Sequence, residues 1–211
     1  MNELYSGGGS DPSGGLRATQ HRELRRVMSA TAELRALHLR ADPDGQIFVR
    51  QQLGETSKMF RDRAFQRIFR KDNALYVPHS IVEDHGVVAD QVVTTAGVQY
   101  LATAFLNVVE PETFNYHASG TGVVAEAIGD TALGTEVGAA RIVGTQSNPG
   151  GGTYRTIATL PYIAGFAITE HGIFSALTVG TLWDRSVFAA INVISGDSIQ
   201  FTYTLTISAG G

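Results

Sequence analysis

Thr169-Glu170-His171-Gly172 sets a carboxylate beside an imidazole, the pairing that general acid–base catalysis or a metal ligand set draws on. The stretch around it reads as a β-strand, where adjacent side chains point to opposite faces. That geometry favours a histidine hydrogen-bonded at a strand edge or subunit contact over a catalytic base. His117 lies on a second strand-like run, and His79 and His85 stand six residues apart, which matches neither one helix face nor a usual ligand spacing. His21 and His38 sit among arginines. Asp184-Arg185 reads as an ion pair at a turn. Ser119, within Ala118-Ser119-Gly120-Thr121-Gly122, lacks the G-x-S-x-G setting of a hydrolase nucleophile and reads as a loop residue. Gly120-Thr121-Gly122 also lacks the further glycine of a dinucleotide fingerprint, and no G-x-x-x-x-G-K-[ST] phosphate loop occurs. With no cysteine, disulfides and thiolate metal sites are excluded. No catalytic, cofactor-binding or metal-binding residue is singled out, so the expectation is a non-enzymatic protein without a cofactor.

The elements that would position these residues are mostly short strands. After Pro78 the sequence breaks into β-like runs at 81–93, 113–118, 139–146, 153–160, 165–175 and 181–194, separated by Gly, Asn, Asp and Ser. The clearest is Ile199–Ile207, apolar at every odd position and polar at every even one, preceded by a Gly196-Asp197 turn. One amphipathic helix is expected at 95–108, with Val98, Leu101, Ala102 and Phe105 on one face. About seven strands at this spacing predict an antiparallel β-sandwich over 78–211.

Residues 1–77 read differently, as an extended N-terminal arm with one or two helices. Tyr5–Gly15 is rich in glycine and serine, with no means of burying itself. From Thr19 to about Arg40, Leu24, Val27, Met28, Leu34 and Leu37 recur at spacings of three and four, which predicts a helix over about 19–40. Residues 46–52 look extended. Farther on, Arg61, Arg63, Arg67 and Arg70 alternate with Phe60, Phe65 and Phe69, where a helix is slightly favoured over a strand. Pro78 is taken to close the arm.

Charge divides the same way. Residues 1–77 hold 13 Lys and Arg against 9 Asp and Glu, a balance of +4; residues 78–211 hold 3 against 11, a balance of -8, which together give the net -4. The second segment has only 14 charged residues in 134, where soluble domains usually carry ~25%. A surface this bare suits coverage by neighbours. The arginine–phenylalanine run has the composition of a single-strand nucleic-acid binder. Its charge is dilute, however, and arginine is equally an interface residue, so protein contact is favoured over nucleic acid. No apolar run approaches the ~20 residues of a membrane span, and the opening MNELYSGGGS carries no secretion signal, so synthesis in a cytoplasm is expected. A glycan-binding head would need aromatic side chains such as Trp183 or Tyr162 in a cleft.

The order GVVADQVVTTAGVQYLATAFLNVVEPETFNYHASGTG (86–122), AEAIGDTALGTEV (125–137), TYRTIATL (153–160), AITEHGIFSA (167–176) and LWDRSVFAAINVISGDSIQFTYTLTISAGG (182–211) resembles a family of tailed-bacteriophage virion proteins. The resemblance covers roughly 86–211 and leaves 1–77 unmatched. It implies a head-decoration or tail-associated structural protein and brings no catalytic residues with it. The expectation is therefore a capsid decoration (cement) protein of the virion that bridges capsid subunits through its arm. A tail, baseplate or fibre-base adaptor is the alternative. Its expected partners are the major capsid protein or other virion proteins and further copies of itself, with a trimer as the expected symmetry. The partner-binding residues would be Leu24, Val27, Met28, Leu34 and Leu37 on the arm helix, with Arg61, Arg63, Arg67 and Arg70.

Overall fold

The alternation at the C-terminus dictates the centre of the larger sheet. In a computed structural model that describes residues 29–51, 69–71, 74–90, 92–106 and 109–208, Asp197–Ser208 is a strand. Ile199, Phe201 and Tyr203 are fully buried and Leu205 nearly so, while Gln200, Thr202, Thr204 and Thr206 line the other, half-exposed face. Strict alternation runs as far as Leu205, and Ile207 at the strand's end is exposed.

Among the described residues twelve strands form two antiparallel sheets. In chain order they are β1 (Ser29–Ala41), β2 (Ile47–Gln51), β3 (Phe69–Lys71), β4 (Ala74–Asp90), β5 (Val92–Val93), β6 (Tyr116–Gly120), β7 (Glu136–Val143), β8 (Thr145–Gly150), β9 (Thr153–Pro161), β10 (Phe166–Phe174), β11 (Leu182–Val193) and β12 (Asp197–Ser208). The larger sheet has the order β2-β4-β1-β12-β9-β8, with β3 also on β4; the smaller has β5-β11-β10-β6-β7. Leu34 and Ala36 of β1, Leu160 of β9 and Ile199 and Phe201 of β12 pack in one core cluster with Ile168 of β10 and Phe188 and Ile191 of β11. Two sheets sharing one apolar interior are consistent with the expected β-sandwich. The chain divides into two compact units: 31–206, which holds this core, and 1–30 with 207–211, of which only the strand-end residues 29–30 and 207–208 are described.

The single described α-helix, α1 (Thr95–Ala104), is capped by Thr94, whose hydroxyl accepts the Gly97 N–H. Its position matches the expected helix, and its inward face matches the expected one only at Leu101. Val98 and Phe105 are exposed, and the helix instead presents Gly97, Tyr100 and Leu101. Gly97 is the reason. A Cβ there would meet the Trp183 ring and backbone at 2.8 Å, so this glycine sets how closely the helix lies on β11.

Three expectations for the arm are corrected. Residues 29–40 are not helical. They form most of β1, which pairs antiparallel with β4 from Glu33↔Asp90 to Ala41↔His79. Ala32, Leu34, Ala36 and His38 point inward at period two, and Leu37 is half-buried. The helical spacing of Leu34 and Leu37 joined residues on opposite faces of a strand. The boundary at 77/78 falls inside β4, and β1 and β2 are members of the larger sheet rather than parts of a separate arm. Pro78 is a buried strand residue facing Phe48. Its carbonyl accepts the Asp42 N–H, on the edge of β4 between the stretch that faces β3 and the stretch that faces β1. A missing donor is tolerated at such a break. Leu24, Val27, Met28, Arg61, Arg63 and Arg67 lie outside the described residues, and Arg70 stands on β3 in register with Leu75.

Candidate functional site

Among the described residues Glu170 is heavily engaged, its carboxylate taking five hydrogen bonds. It sits in the middle of β10, opposite Gly120 of β6 and Val187 of β11, and is wholly buried. Its carboxylate accepts the backbone N–H of Gly122 (2.8 Å), Gly134 (2.9 Å) and Thr135 (2.8 Å), and the Arg185 Nε (3.0 Å) and Nη2 (2.9 Å). Arg185 in turn donates to Asp130 (2.8 Å) and to the Val124 carbonyl (3.1 Å). The segment 121–135 between β6 and β7 is thus tied to the sheet by one buried ion-pair network. Gly120 and Gly122 make it possible, because a Cβ at either would collide with the carboxylate.

The electrostatics follow from the geometry. Burial alone would raise the Glu170 pKa. The N–H groups of Thr135 and Gly134, the Arg185 guanidinium and the Gly122 N–H outweigh it and hold the carboxyl below the ordinary glutamate range. Asp130 behaves likewise: burial opposes ionisation, and the Ala127 N–H and Arg185 prevail. This is a saturated anion, with five donors converging on two oxygens.

His171, the neighbour of Glu170, points the opposite way, into the core against Phe201 (4.5 Å between ring centroids). Its Nε2 lies 3.0 Å from His117 Nδ1, and His117 Nε2 lies 3.1 Å from Thr156 Oγ1. Burial pushes His117 down to about 3, and burial reinforced by His117 pushes His171 well below the usual imidazole range. Both rings are neutral at ordinary pH, one donating to the other. His171 Nδ1 has no hydrogen-bond partner among the described residues. Gly144 leaves room for the pair, since a Cβ there would run into Thr156 and His117.

Two more buried carboxyls complete the set. Asp197 opens β12, where it accepts from Arg40 Nε (2.7 Å) and Nη2 (3.0 Å), bonds His38 Nε2 (2.9 Å) and takes the Ile194 N–H (3.1 Å). It fastens β1 to the β11–β12 turn. Burial works against its ionisation, but Arg40, the Ile194 N–H and His38 keep its pKa low. Asp184 shows the reverse: burial raises its carboxyl well above the usual carboxylate range, with the Tyr203 hydroxyl donating to it at 3.3 Å and Trp183 Nε1 donating to Tyr203 at 2.7 Å.

These positions correct several expectations. Asp184 and Arg185 do not pair with each other; as strand neighbours they serve opposite faces. Ser119 is a buried strand residue of β6, 3.0 Å from the Tyr162 hydroxyl. Trp183 and Tyr162 are core residues rather than a glycan platform. His79 and His85 both lie on β4; His79 is buried with Nδ1 on the Val77 carbonyl, and His85 stands 3.8 Å from Glu83. Glu170 and His171 point to opposite faces, as expected of strand neighbours, and among the described residues no group of three His, Cys, Asp or Glu gathers as a metal site. The network of Glu170, Arg185 and Asp130 was not foreseen. Its signal was the pair of glycines at 120 and 122, in a stretch read as a loop.

The exterior has the opposite character. Phe105 and Leu106 at the end of α1 are 83% and 73% exposed, and Val123, Val124 and Ile128 of the 121–135 segment are similarly bare. The Thr95 N–H donates to the Ile128 carbonyl, so helix and segment adjoin. At the tip of the β10–β11 hairpin, Val179 is 87% exposed with φ 59°, a left-handed backbone that a β-branched residue rarely adopts. Arg141 holds it there, donating to the Val179 and Ala176 carbonyls, paired with Glu136 and lying 3.3 Å over the Phe174 ring. A shallow concavity of about 520 Å³ on the outer face of the larger sheet is lined by Arg35, Arg155, Glu33, Asp90 and threonines, with no aromatic side chain. Among the described residues no helix is long and apolar enough to cross a membrane. No family model, curated protein or solved structure matches the chain.

Proposed function

We propose that this chain is a non-enzymatic structural protein of a tailed-bacteriophage particle, a β-sandwich that decorates and cements the capsid. The observation that carries the reading is the inversion between interior and exterior. Glu170, the carboxylate set beside an imidazole in the sequence, is buried and saturated by Arg185 and three backbone N–H groups, while His171 points the other way into the core. Large apolar side chains such as Phe105, Leu106, Val124 and Val179 are left outside. A molecule that works alone in water keeps exposed apolar patches small; one that is tiled among neighbours has them covered. The low charge of 78–211 supports the same use, as does the rigid hairpin tip that Arg141 holds in a strained conformation. The resemblance of 86–211 to tailed-bacteriophage virion proteins supports the choice of particle.

Partners on this reading are the major capsid protein or other virion proteins, together with further copies of the chain, for which a trimer suits threefold positions on a capsid lattice. The test is location. Purified particles are separated into heads and tails, the protein is quantified in each by mass spectrometry, and its density is placed by electron microscopy. Recovery with heads at many copies per particle is expected. Recovery with tails assigns it instead to the baseplate or fibre base, and absence from purified particles refutes the virion role.

A further inference from the structure

The outer face of the larger sheet gathers charges of both signs around one space without pairing them. Glu33 and Arg35 of β1, Asp90 of β4, Arg155 of β9 and Thr202 and Thr204 of β12 line the concavity of about 520 Å³. That volume lies within the roughly 300–1,000 Å³ of small-molecule sites. The four strands are neighbours in the order β4-β1-β12-β9, so both acids stand toward one side and Arg155 at the other. At about 4.8 Å per strand, roughly 14 Å separates the backbones of β4 and β9.

Glu33 and Asp90 face each other directly in the β1–β4 register. Two carboxylates so placed repel each other, and a donor lying between them relieves the repulsion. Among the described residues none supplies it: Glu33, Asp90 and Arg35 take part in no hydrogen bond or ion pair with them. Arg155 has one contact, its Nε donating to Thr204 Oγ1 at 3.4 Å, which holds the guanidinium against β12 and leaves Nη1 and Nη2 without a partner among the described residues.

The chemistry of the lining selects the ligand. No aromatic ring is present, so a nucleobase or a neutral sugar has nothing to stack on. Two arginines against two acids leave the site neutral, which disfavours a polyphosphate but does not repel a single negative charge. A guanidinium fork matches a carboxylate, while acids and threonine hydroxyls accept from ligand hydroxyls. We propose that this concavity binds a saccharide bearing a carboxylate, with its acid group on Nη1 and Nη2 of Arg155 and its hydroxyls on Glu33, Asp90 and the threonines of β12. Such binding is independent of any place in a particle.

The full-length protein is titrated with glucuronate and with matched probes that each lack one feature, and its backbone amides are followed by NMR. Glucose lacks the carboxylate, glucosamine carries an ammonium instead, and cyclohexanecarboxylate lacks the hydroxyls. Glucuronate should shift the amides of Arg155, Thr202 and Thr204, bind at least ~tenfold more tightly than each probe, and weaken as salt rises. Arg155→Gln and Glu33→Gln, on the outer face of the sheet, should each weaken it by ~tenfold with unchanged circular dichroism. A galacturonate trimer binding more tightly than galacturonate assigns the site to a polysaccharide, and equal binding assigns it to the free sugar acid. Glucuronate binding no better than glucose overturns the proposal. Equal binding of cyclohexanecarboxylate reduces the concavity to an anion site and overturns it too, as do a preference for glucosamine and the absence of shifts at those three amides.

Discussion

Replacing Glu170 by alanine removes the anion around which 121–135 is folded, and the structure fixes what is left behind. Three backbone N–H groups lose their acceptor, and Arg185 keeps only Asp130 and the Val124 carbonyl. Breaking a buried pair by deleting one partner costs about 3–5 kcal/mol. Retention of Asp130 places this case toward the lower end, and water entering beside the orphaned N–H groups offsets part of the rest. A loss of about 3–4 kcal/mol corresponds to a fall in melting temperature of roughly 6–16 °C for a unit of this size. Urea unfolding at pH 7 measures the first quantity, and amide exchange at Gly122, Gly134 and Thr135 localises it.

The pH dependence has a definite sign. The folded-state pKa of Glu170 lies below its unfolded value, so its contribution is complete above the unfolded pKa of about 4.3 and fades as pH falls through the folded one. The difference between the parent and Glu170→Gln should therefore be flat above about pH 5 and shrink below about pH 4. A Glu170→Ala protein within about 1 kcal/mol of the parent, with unchanged exchange at those three amides, would refute the network's role.

Three further outcomes are expected. His117 and His171 are held neutral, with folded pKa values below the unfolded one, so stability falls as pH drops below about 6.5, by up to ~1.4 kcal/mol per pH unit for each ring. His171→Phe should remove one share of that slope in denaturation curves between pH 6 and 4. Asp184 has a raised folded pKa, so its carboxyl costs stability as pH rises above about 4; Asp184→Asn should match the parent near pH 4 and exceed it at pH 8. Removing residues 1–28 should leave a folded protein by circular dichroism, whereas removing 1–77 takes Leu34, Ala36 and Val77 from the interior and should leave one that does not fold.

What was legible in the sequence tracks how purely each element is patterned. From Ile199 to Leu205 β12 alternates apolar and polar residues without exception, and the strand and its buried face follow. β9, β10 and β11 fall within a residue or two of their expected limits because glycine, proline or serine brackets them. β1 was hidden. Its inward residues are Ala32, Leu34, Ala36 and His38, two of them small and one polar, so the period of two carried little apolar contrast, and the leucines at 34 and 37 imitated a helix. The polar network was hidden for a different reason. Glu170 meets its donors across 35 to 48 residues of sequence, and nothing local marks a carboxylate whose partners are backbone N–H groups.

The same network bears on how the exterior can function. Val123, Val124 and Ile128 project from a segment with little apolar anchorage of its own, and such a segment in water would fold back over its valines. It is prevented from doing so because its backbone is committed at both ends: Gly122 to Glu170 on one side, Gly134 and Thr135 to the same carboxylate on the other, with Arg185 and Asp130 gripping the middle. The Arg141 clamp does for the Val179 tip what Glu170 does for this segment. In both places an arginine with a carboxylate partner, Arg185 with Glu170 and Arg141 with Glu136, anchors a segment whose apolar side chains face solvent. Preorganisation of that kind lowers the ordering cost of association and has no evident use in a molecule that stays alone. The interior charges thus fix the arrangement of the exposed apolar side chains, and on the proposed reading that arrangement is what a neighbouring subunit would meet.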